Sequence, residues 1–198
     1  MRYLKGFIYF ISFILISLMV GIGVAHFLGG TLPERSSIAQ SKSFDASQDL
    51  IWTALMDIES YQLWKPQLKS VEMLGVNDKG FTKWREFYPY GQSVTYEISQ
   101  YIPKSLIEVR ITESKKAAQG VWVYKISSYQ SRGVLQIKRF AIISNNIERF
   151  IRRWIDTKYN EVDYTLMSLN EYLNQLLEDQ DQISDMGLPD SIQNNEIP

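Results

Sequence analysis

The feature that most constrains the fold is a run of six strand-like segments through the middle of the chain. Between residues 68 and 143 the apolar side chains recur at about every second position, the period of a β-strand with one buried face. Turn-forming residues such as Asn77, Pro89, Pro103 and Gly133 separate the segments. Because the connections are short, we expect an antiparallel meander. The predicted strands are residues 69–76, 80–88, 92–101, 105–112, 120–128 and 133–143.

The predicted sheet has one apolar face and one polar face. Tyr96 and Ile98 share a face opposite Glu97, and Val109 and Ile111 share a face on the next strand. With 45% apolar and 13% aromatic residues, the chain can bury such a face in a core.

A long amphipathic helix is predicted after the last strand, beginning at Asn145 and Asn146. Apolar residues follow at spacings of three, four or seven over about 30 residues, roughly 45 Å of helix. We expect this single helix to lie across the apolar face of the sheet. The stripe consists of Ile147, Phe150, Ile151, Trp154, Ile155, Val162, Leu166, Leu169, Leu173 and Leu176.

Two short helices are predicted ahead of the meander. Residues 38–44 alternate loosely and predict a first strand, and Ser47 then provides an N-cap for a helix that carries Ile51 on its apolar side. A second helical piece ends at Trp64, because Pro66 prevents its continuation.

The N-terminus contains 22 residues without a formal charge, residues 7–28. At about 1.5 Å per residue this run spans roughly 33 Å, which is enough for a bilayer core. The run is longer than the apolar part of a signal peptide and no clear cleavage site follows it, which favours an uncleaved anchor over a cleaved signal. Arg2 and Lys5 precede the run, so the positive-inside tendency places the N-terminus in the cytoplasm and the domain outside it.

Charge is distributed unevenly along the chain. The net charge is −1, so no global field indicates nucleic acid, and none is expected as a partner. All 21 basic residues lie at or before Lys158, and nine acidic groups follow. We predict an anchor over residues 1–28, a linker over 29–37, a domain over 38–178 and a disordered acidic tail over 179–198.

The order of these elements resembles the helix-grip fold of the START/SRPBCC superfamily, in its polyketide cyclase/dehydrase-like branch. The opening FDASQDLIWTALMDIESYQLWKPQLKSVEML is similar to the start of that branch, with Trp52, Asp57, Trp64 and Pro66 at matching places. ISQYIPKSLIEVRI is similar to its hairpin, and NNIERFIRRWID to the entry into its long helix. The resemblance covers roughly residues 36–178 and implies an α+β fold with about seven antiparallel strands wrapped on a C-terminal helix.

A sheet that grips a helix encloses a concave, mostly apolar space, which suits a hydrophobic small molecule or lipid. Tyr96 and Tyr124 are the stronger candidates for its wall, because an inward phenol needs a polar partner that a ligand can supply. Plain core packing is the alternative for every candidate, and Trp64 could instead plug the core. The predicted ligand-binding residues are Trp64, Trp84, Tyr96, Ile98, Val109, Ile111, Tyr124, Phe150 and Trp154.

The sequence offers little catalytic chemistry. It has no cysteine, and its only histidine, His26, lies in the predicted span, so neither a catalytic residue nor a metal or cofactor site is predicted. Glu86 shares a strand face with Trp84 and could point inward, although a solvated or salt-bridged position is the alternative. Three arginines at positions 149, 152 and 153 form either a solvated face or a contact with anionic headgroups.

Three functions remain open at this stage. The first is a membrane-anchored module that binds or transfers a hydrophobic molecule, and the second is a cyclase/dehydrase-like enzyme on such a molecule. The third is a protein-interaction module with a filled core, which would use apolar surface at Val121 and Val123 if Trp122 and Tyr124 point inward. The lack of catalytic residue types favours the first.

Overall fold

The computed structural model describes residues 2–65, 67–114, 119–154 and 161–185. A short 3-10 helix (Pro89–Gly91) and five α-helices are described: α1 (Arg2–Gly30), α2 (Gln48–Met56), α3 (Tyr61–Trp64), α4 (Asn146–Trp154) and α5 (Glu161–Asp185). The strands are β1 (Arg35–Phe44), β2 (Ser70–Val76), β3 (Thr82–Phe87), β4 (Ser93–Ile102), β5 (Leu106–Ser114), β6 (Gln119–Tyr129) and β7 (Arg132–Ile142).

The strands form one antiparallel sheet in the order β1-β7-β6-β5-β4-β3-β2. Strands β2 to β7 are a simple meander, and β1 pairs with β7 in a continuous register from Arg35 opposite Ile142 to Phe44 opposite Gly133. The α+β helix-grip fold with seven strands is therefore confirmed, and each of the six meander strands ends within two residues of its predicted limits.

The core lies between the apolar face of the sheet and the helices α2, α3 and α5. Helix α5 buries one stripe, Val162, Leu166, Leu169 and Leu173, at the helical spacing that the sequence predicts. Helix α2 begins at Ser47, whose side chain accepts a hydrogen bond from the Leu50 amide. The stripe of α5 and the inner face of α2 join the same cluster of buried side chains.

The expectation that the C-terminal helix lies across the sheet holds for α5 and not for α4, because these two described stretches make different contacts. Helix α4 packs against the end of α1, whereas α5 packs against the sheet and the short helices. The buried residue of α4 is Arg149, and its apolar residues Ile151 and Trp154 are exposed. Ile155, which the predicted stripe includes, lies outside the described residues.

The predicted segment boundaries also need correction. Helix α1 continues to Gly30 and β1 begins at Arg35, so residues 31–34 alone connect them, instead of the predicted linker 29–37. Helix α5 extends to Asp185, so the first part of the predicted tail 179–198 is helical, and residues 186–198 lie outside the described residues. Lys5–Gly30 is long and apolar enough to cross a membrane, a property that a membrane span and a signal sequence share.

Gly133 lies where β7 passes close to the start of α2, and its amide donates to the carbonyl of Ala46 at 2.7 Å. A Cβ at position 133 would lie 2.3 Å from Cδ1 of Ile51 and 2.8 Å from the carbonyl oxygen of Ala46. Because that oxygen belongs to the backbone, Gly133→Ala should destabilise the fold by about 1–3 kcal/mol through overpacking. Thermal unfolding should show a lower Tm for this variant.

The matched control for this prediction is Ser128→Ala, at the exposed position directly opposite Gly133 on β6. Its Tm should stay close to that of the parent chain. Equal melting temperatures for the two variants would contradict the close packing of β7 on α2.

Candidate functional site

A cavity of about 720 Å³ lies between the sheet and the N-terminal half of α5. This volume is within the range of small-molecule sites in proteins. The sheet contributes mainly aromatic and aliphatic side chains, and α5 contributes Tyr164, Thr165 and Ser168. The apolar and aromatic wall on the sheet consists of Trp84, Val94, Tyr96, Val109, Ile111, Trp122 and Tyr124.

On one side the cavity is bordered by segments next to the N-terminal helix. Leu32 and Pro33 lie on the connection from α1 to β1, and Ile38 lies on β1 itself. Helix α4 supplies the remaining border through Glu148, Arg149, Ile151, Arg152 and Arg153. The end of α1, the edge strand and α4 therefore meet at this rim.

A buried carboxylate, Glu86, lies at the side of the cavity formed by β3 and α3. Its Oε1 accepts from Lys65 Nζ at 2.8 Å and from Trp84 Nε1 at 3.1 Å, and its Oε2 accepts from the Tyr88 hydroxyl. The Lys65 ammonium also lies 4.0 Å from the centre of the Tyr61 ring. The carboxylate is thus paired with a cation and hydrogen-bonded at both oxygens, as a fully buried carboxylate requires.

Four tyrosines near this carboxylate have pKa values raised above the ordinary value. Burial is the largest cause for each of Tyr61, Tyr88, Tyr96 and Tyr124, and the negative charge of Glu86 adds to it. Arg139 acts in the opposite direction on the pKa of Tyr124. The phenols therefore stay neutral at physiological pH and can both donate and accept hydrogen bonds.

The second polar position is Arg139 on β7, whose side chain is nearly buried. Its Nη1 lies 2.9 Å from Oε2 of Glu161 at the start of α5, and its guanidinium lies 5.2 Å from the Trp122 ring. Its Nε is buried and has no hydrogen-bond partner within the described part of the chain. A ligand oxygen in the cavity would supply that partner, because an unpaired buried donor is costly.

Five of the nine predicted ligand-binding residues line this cavity: Trp84, Tyr96, Val109, Ile111 and Tyr124. Each lies on the inward face of its strand, as the alternating pattern predicts.

The other four predicted residues are not on the wall. Trp64 and Ile98 are buried in the core cluster, with Trp64 edge-on against Tyr61 at 5.0 Å. Phe150 is half-buried and Trp154 is exposed, because α4 packs on α1 instead of lying on the sheet.

Lys65, Tyr88 and Arg139 are among the polar residues of the site that were not predicted. The alternation Leu135, Ile137, Arg139 places this arginine in an inward register of β7, which is a signal that the sequence contains. Lys65 lies in an irregular turn before Pro66, where no periodic pattern indicates its direction. Tyr88 follows Trp84 and Glu86 at alternate positions, so the same face argument would have included it.

The arrangement can hold an amphiphile with an apolar body and at least one oxygen. Stacked aromatic pairs, Trp84 with Tyr96 and Trp122 with Tyr124, form flat walls suited to rings or chains. Within the described residues, no group of three or more histidine or carboxylate side chains is placed to hold a metal ion.

Removal of the buried carboxylate tests the polar cluster. Glu86→Ala should cost about 2–4 kcal/mol of unfolding free energy, because Lys65 loses its partner and two buried donors lose their acceptor. Glu72→Ala is the matched control, since that carboxylate is half exposed and 3.8 Å from Arg85, and its cost should stay below about 0.5 kcal/mol. Denaturant unfolding measures both, and equal losses would contradict an integral role for Glu86.

The fold is shared with proteins of known structure at low sequence identity. An aromatase/cyclase, Zhui, from a Streptomyces species matches with a TM-score of 0.60 and 13% identity, over 72% of this chain and 96% of that one. A START superfamily protein from Mycobacterium smegmatis matches with a TM-score of 0.55 and 16% identity, over 71% and 98% of the two chains. Norcoclaurine synthase from Thalictrum flavum matches with a TM-score of 0.54 and 13% identity, over 72% and 86%.

The sequence itself carries the family assignment. A search of curated proteins gave no significant match. Residues 35–161 match the family described as polyketide cyclase / dehydrase and lipid transport, and this range contains the whole sheet and the short helices. The START/SRPBCC resemblance is thereby confirmed, and the chain belongs to the polyketide cyclase/dehydrase and lipid transport family.

Proposed function

We propose that this protein is a membrane-anchored module that binds a hydrophobic small molecule or lipid between its sheet and α5. The observation that carries the proposal is the cavity of about 720 Å³ with an aromatic wall. Its volume and shape suit a ligand with an apolar body. A filled core, which the protein-interaction alternative requires, is at odds with this space.

Two polar positions narrow the ligand class. The unpaired Nε of Arg139 can donate a hydrogen bond to an oxygen of the ligand. The hydroxyls of Tyr96 and Tyr124 can form hydrogen bonds with either a carbonyl or a hydroxyl group. The ligand we propose is therefore an amphiphile with few oxygens, and its affinity comes mainly from burial of its apolar part.

The cluster around Glu86 supports a second candidate, an enzyme of the cyclase/dehydrase kind. A carboxylate that is paired with Lys65 and accepts from Tyr88 at a cavity wall is a candidate proton acceptor. Family membership agrees with this alternative. Binding remains the first proposal, because both oxygens of Glu86 already have partners within the protein.

A bulky side chain in the cavity should abolish ligand binding. Val109→Trp adds an indole to the wall, so the variant should bind neither a co-purified molecule nor added palmitic acid. The fold should survive, because the cavity is not close-packed. Native mass spectrometry of the full chain, released from detergent, measures the bound ligand. Two retained molecules whose masses differ by one water would favour the enzyme alternative.

Val123→Trp is the matched control for the cavity, since Val123 lies between two inward residues of β6 and faces the opposite side of the sheet. This variant should keep its ligand. If the parent chain carries no ligand under any of these conditions, or if both variants bind equally, the binding proposal fails.

The anchor is tested separately. We expect residues 1–28 to remain attached and the chain to resist extraction from membranes by alkaline carbonate, because the apolar run is long enough to span a bilayer. Removal of residues 1–28 should release the domain into the soluble fraction. Intact-mass measurement of the mature protein decides between an uncleaved anchor and a cleaved signal. A mature N-terminus near Gly30 would show a cleaved signal.

A further inference from the structure

The C-terminal end of α1 and helix α4 are in direct contact. Ala25 and Gly29, one turn apart, are the buried positions described on α1. A Cβ at Gly29 would lie 1.7 Å from the carbonyl oxygen of Asn146, so only glycine permits this approach. The small side chains thus allow the start of α4 to pack on the last turns of α1, as small residues do between membrane helices.

Arg149 connects this contact to the rest of the domain. Its Nε donates to the carbonyl of Gly29 at 2.9 Å, and its Nη1 donates to the carbonyl of Ile143 at 3.0 Å. The same Nη1 lies 3.1 Å from Oε1 of Glu34, on the connection from α1 to β1. One buried guanidinium therefore holds the end of α1, the end of β7 and α4 together.

This contact fixes the depth of α4. If α1 spans the bilayer as proposed, its last turn lies at the level of the headgroups, because residues 5–30 already exceed the hydrocarbon thickness. Helix α4 packs on that last turn and must lie at the same level.

The outer surface of α4 has the composition of an interfacial helix. Ile151 is 41% exposed and Trp154 is 63% exposed, at neighbouring positions of the helix. Arg153 is exposed, lies over the Trp154 ring and forms no ion pair within the described part of the chain. Exposed apolar residues beside an unpaired cation are typical of helices that lie on anionic membranes.

Neighbouring charges agree with this orientation. Arg152 is paired with Glu148 at 2.8 Å and Arg149 with Glu34, so neither acid offsets Arg153. Arg35, at the start of β1 and opposite Ile142, adds a second exposed cation near the end of α1. Each such cation is attracted to an anionic membrane surface.

We propose that α4 docks on the anionic phospholipid surface beside α1, and that the rim it forms with residues 31–34 opens the cavity towards that leaflet. Ile151, Arg152 and Arg153 lie both on α4 and on the border of the cavity. The ligand then enters from the membrane, whose phospholipids or dissolved amphiphiles are its source. This inference rests on the proposed anchoring and binding.

The absence of cysteine allows a site-specific test in the full chain. Trp154→Cys and Tyr129→Cys place one environment-sensitive fluorophore at positions of nearly equal exposure, 63% and 66%, on α4 and on the distant β6–β7 turn. The chain is inserted in nanodiscs of phosphatidylcholine, with or without phosphatidylglycerol. Lipid-borne quenchers report contact with the bilayer.

We expect a blue shift and lipid quenching at position 154 and at Ile151→Cys, stronger with phosphatidylglycerol, and no response at position 129. Adding Arg153→Glu should reduce the response at position 154 to the level of position 129. Lys125→Glu, an exposed charge reversal on β6, should leave it unchanged.

Three outcomes would overturn the proposal. The label at position 154 could be as exposed as that at position 129, or its quenching could be the same in both lipids and insensitive to Arg153→Glu. Protection that depends on protein concentration and not on lipid would assign α4 to contact with a second copy. Failure of the anchor shows separately as loss of the chain from nanodiscs, and failure of the cavity as loss of ligand in the mass spectrum.

Discussion

The structure depends on the mismatch between one wide sheet and one narrow helix. Seven strands at about 4.8 Å spacing span roughly 29 Å, whereas a helix with its side chains is about 10 Å wide. Helix α5 covers the sheet with Leu166, Leu169 and Leu173, and α2 and α3 fill a further part. Apolar side chains of the helices do not cover the part of the sheet next to the first turns of α5, and the cavity forms there.

Burial of the polar residues of the cavity costs free energy, and hydrogen bonds and ion pairs within the fold offset part of this cost. Glu86 is bonded at both oxygens and balanced by Lys65, so its burial is largely compensated. The Nε of Arg139 is not compensated by the protein, although the guanidinium is paired with Glu161. A fold that only had to pack would gain from an apolar residue at this position, and the unpaired donor therefore agrees with the proposed ligand.

Much of the fold could be predicted from the sequence because the strand period and the turn residues are local signals. The wall residues Tyr96, Val109 and Tyr124 followed from the alternation alone, since a strand has two faces. The different packing of α4 and α5 could not be predicted, because Ile151 and Trp154 continue the same helical spacing. Their surroundings are set by a contact with α1, more than 100 residues away in the sequence, which no local pattern encodes.

If α1 is the proposed membrane anchor, the same contact gives it a role beyond attachment. Four residues, 31–34, connect α1 to β1, and such a segment reaches at most about 14 Å when extended. With α1 in the bilayer, the rim of the cavity cannot move farther than this from the surface even if Arg149 releases Gly29. An apolar ligand would then pass between membrane and cavity with little exposure to water, and exposure of apolar surface to water is unfavourable. In the proposed arrangement the short tether and the lipid-facing rim act together, because a long linker would let the cavity move away from the membrane in which the proposed ligand dissolves.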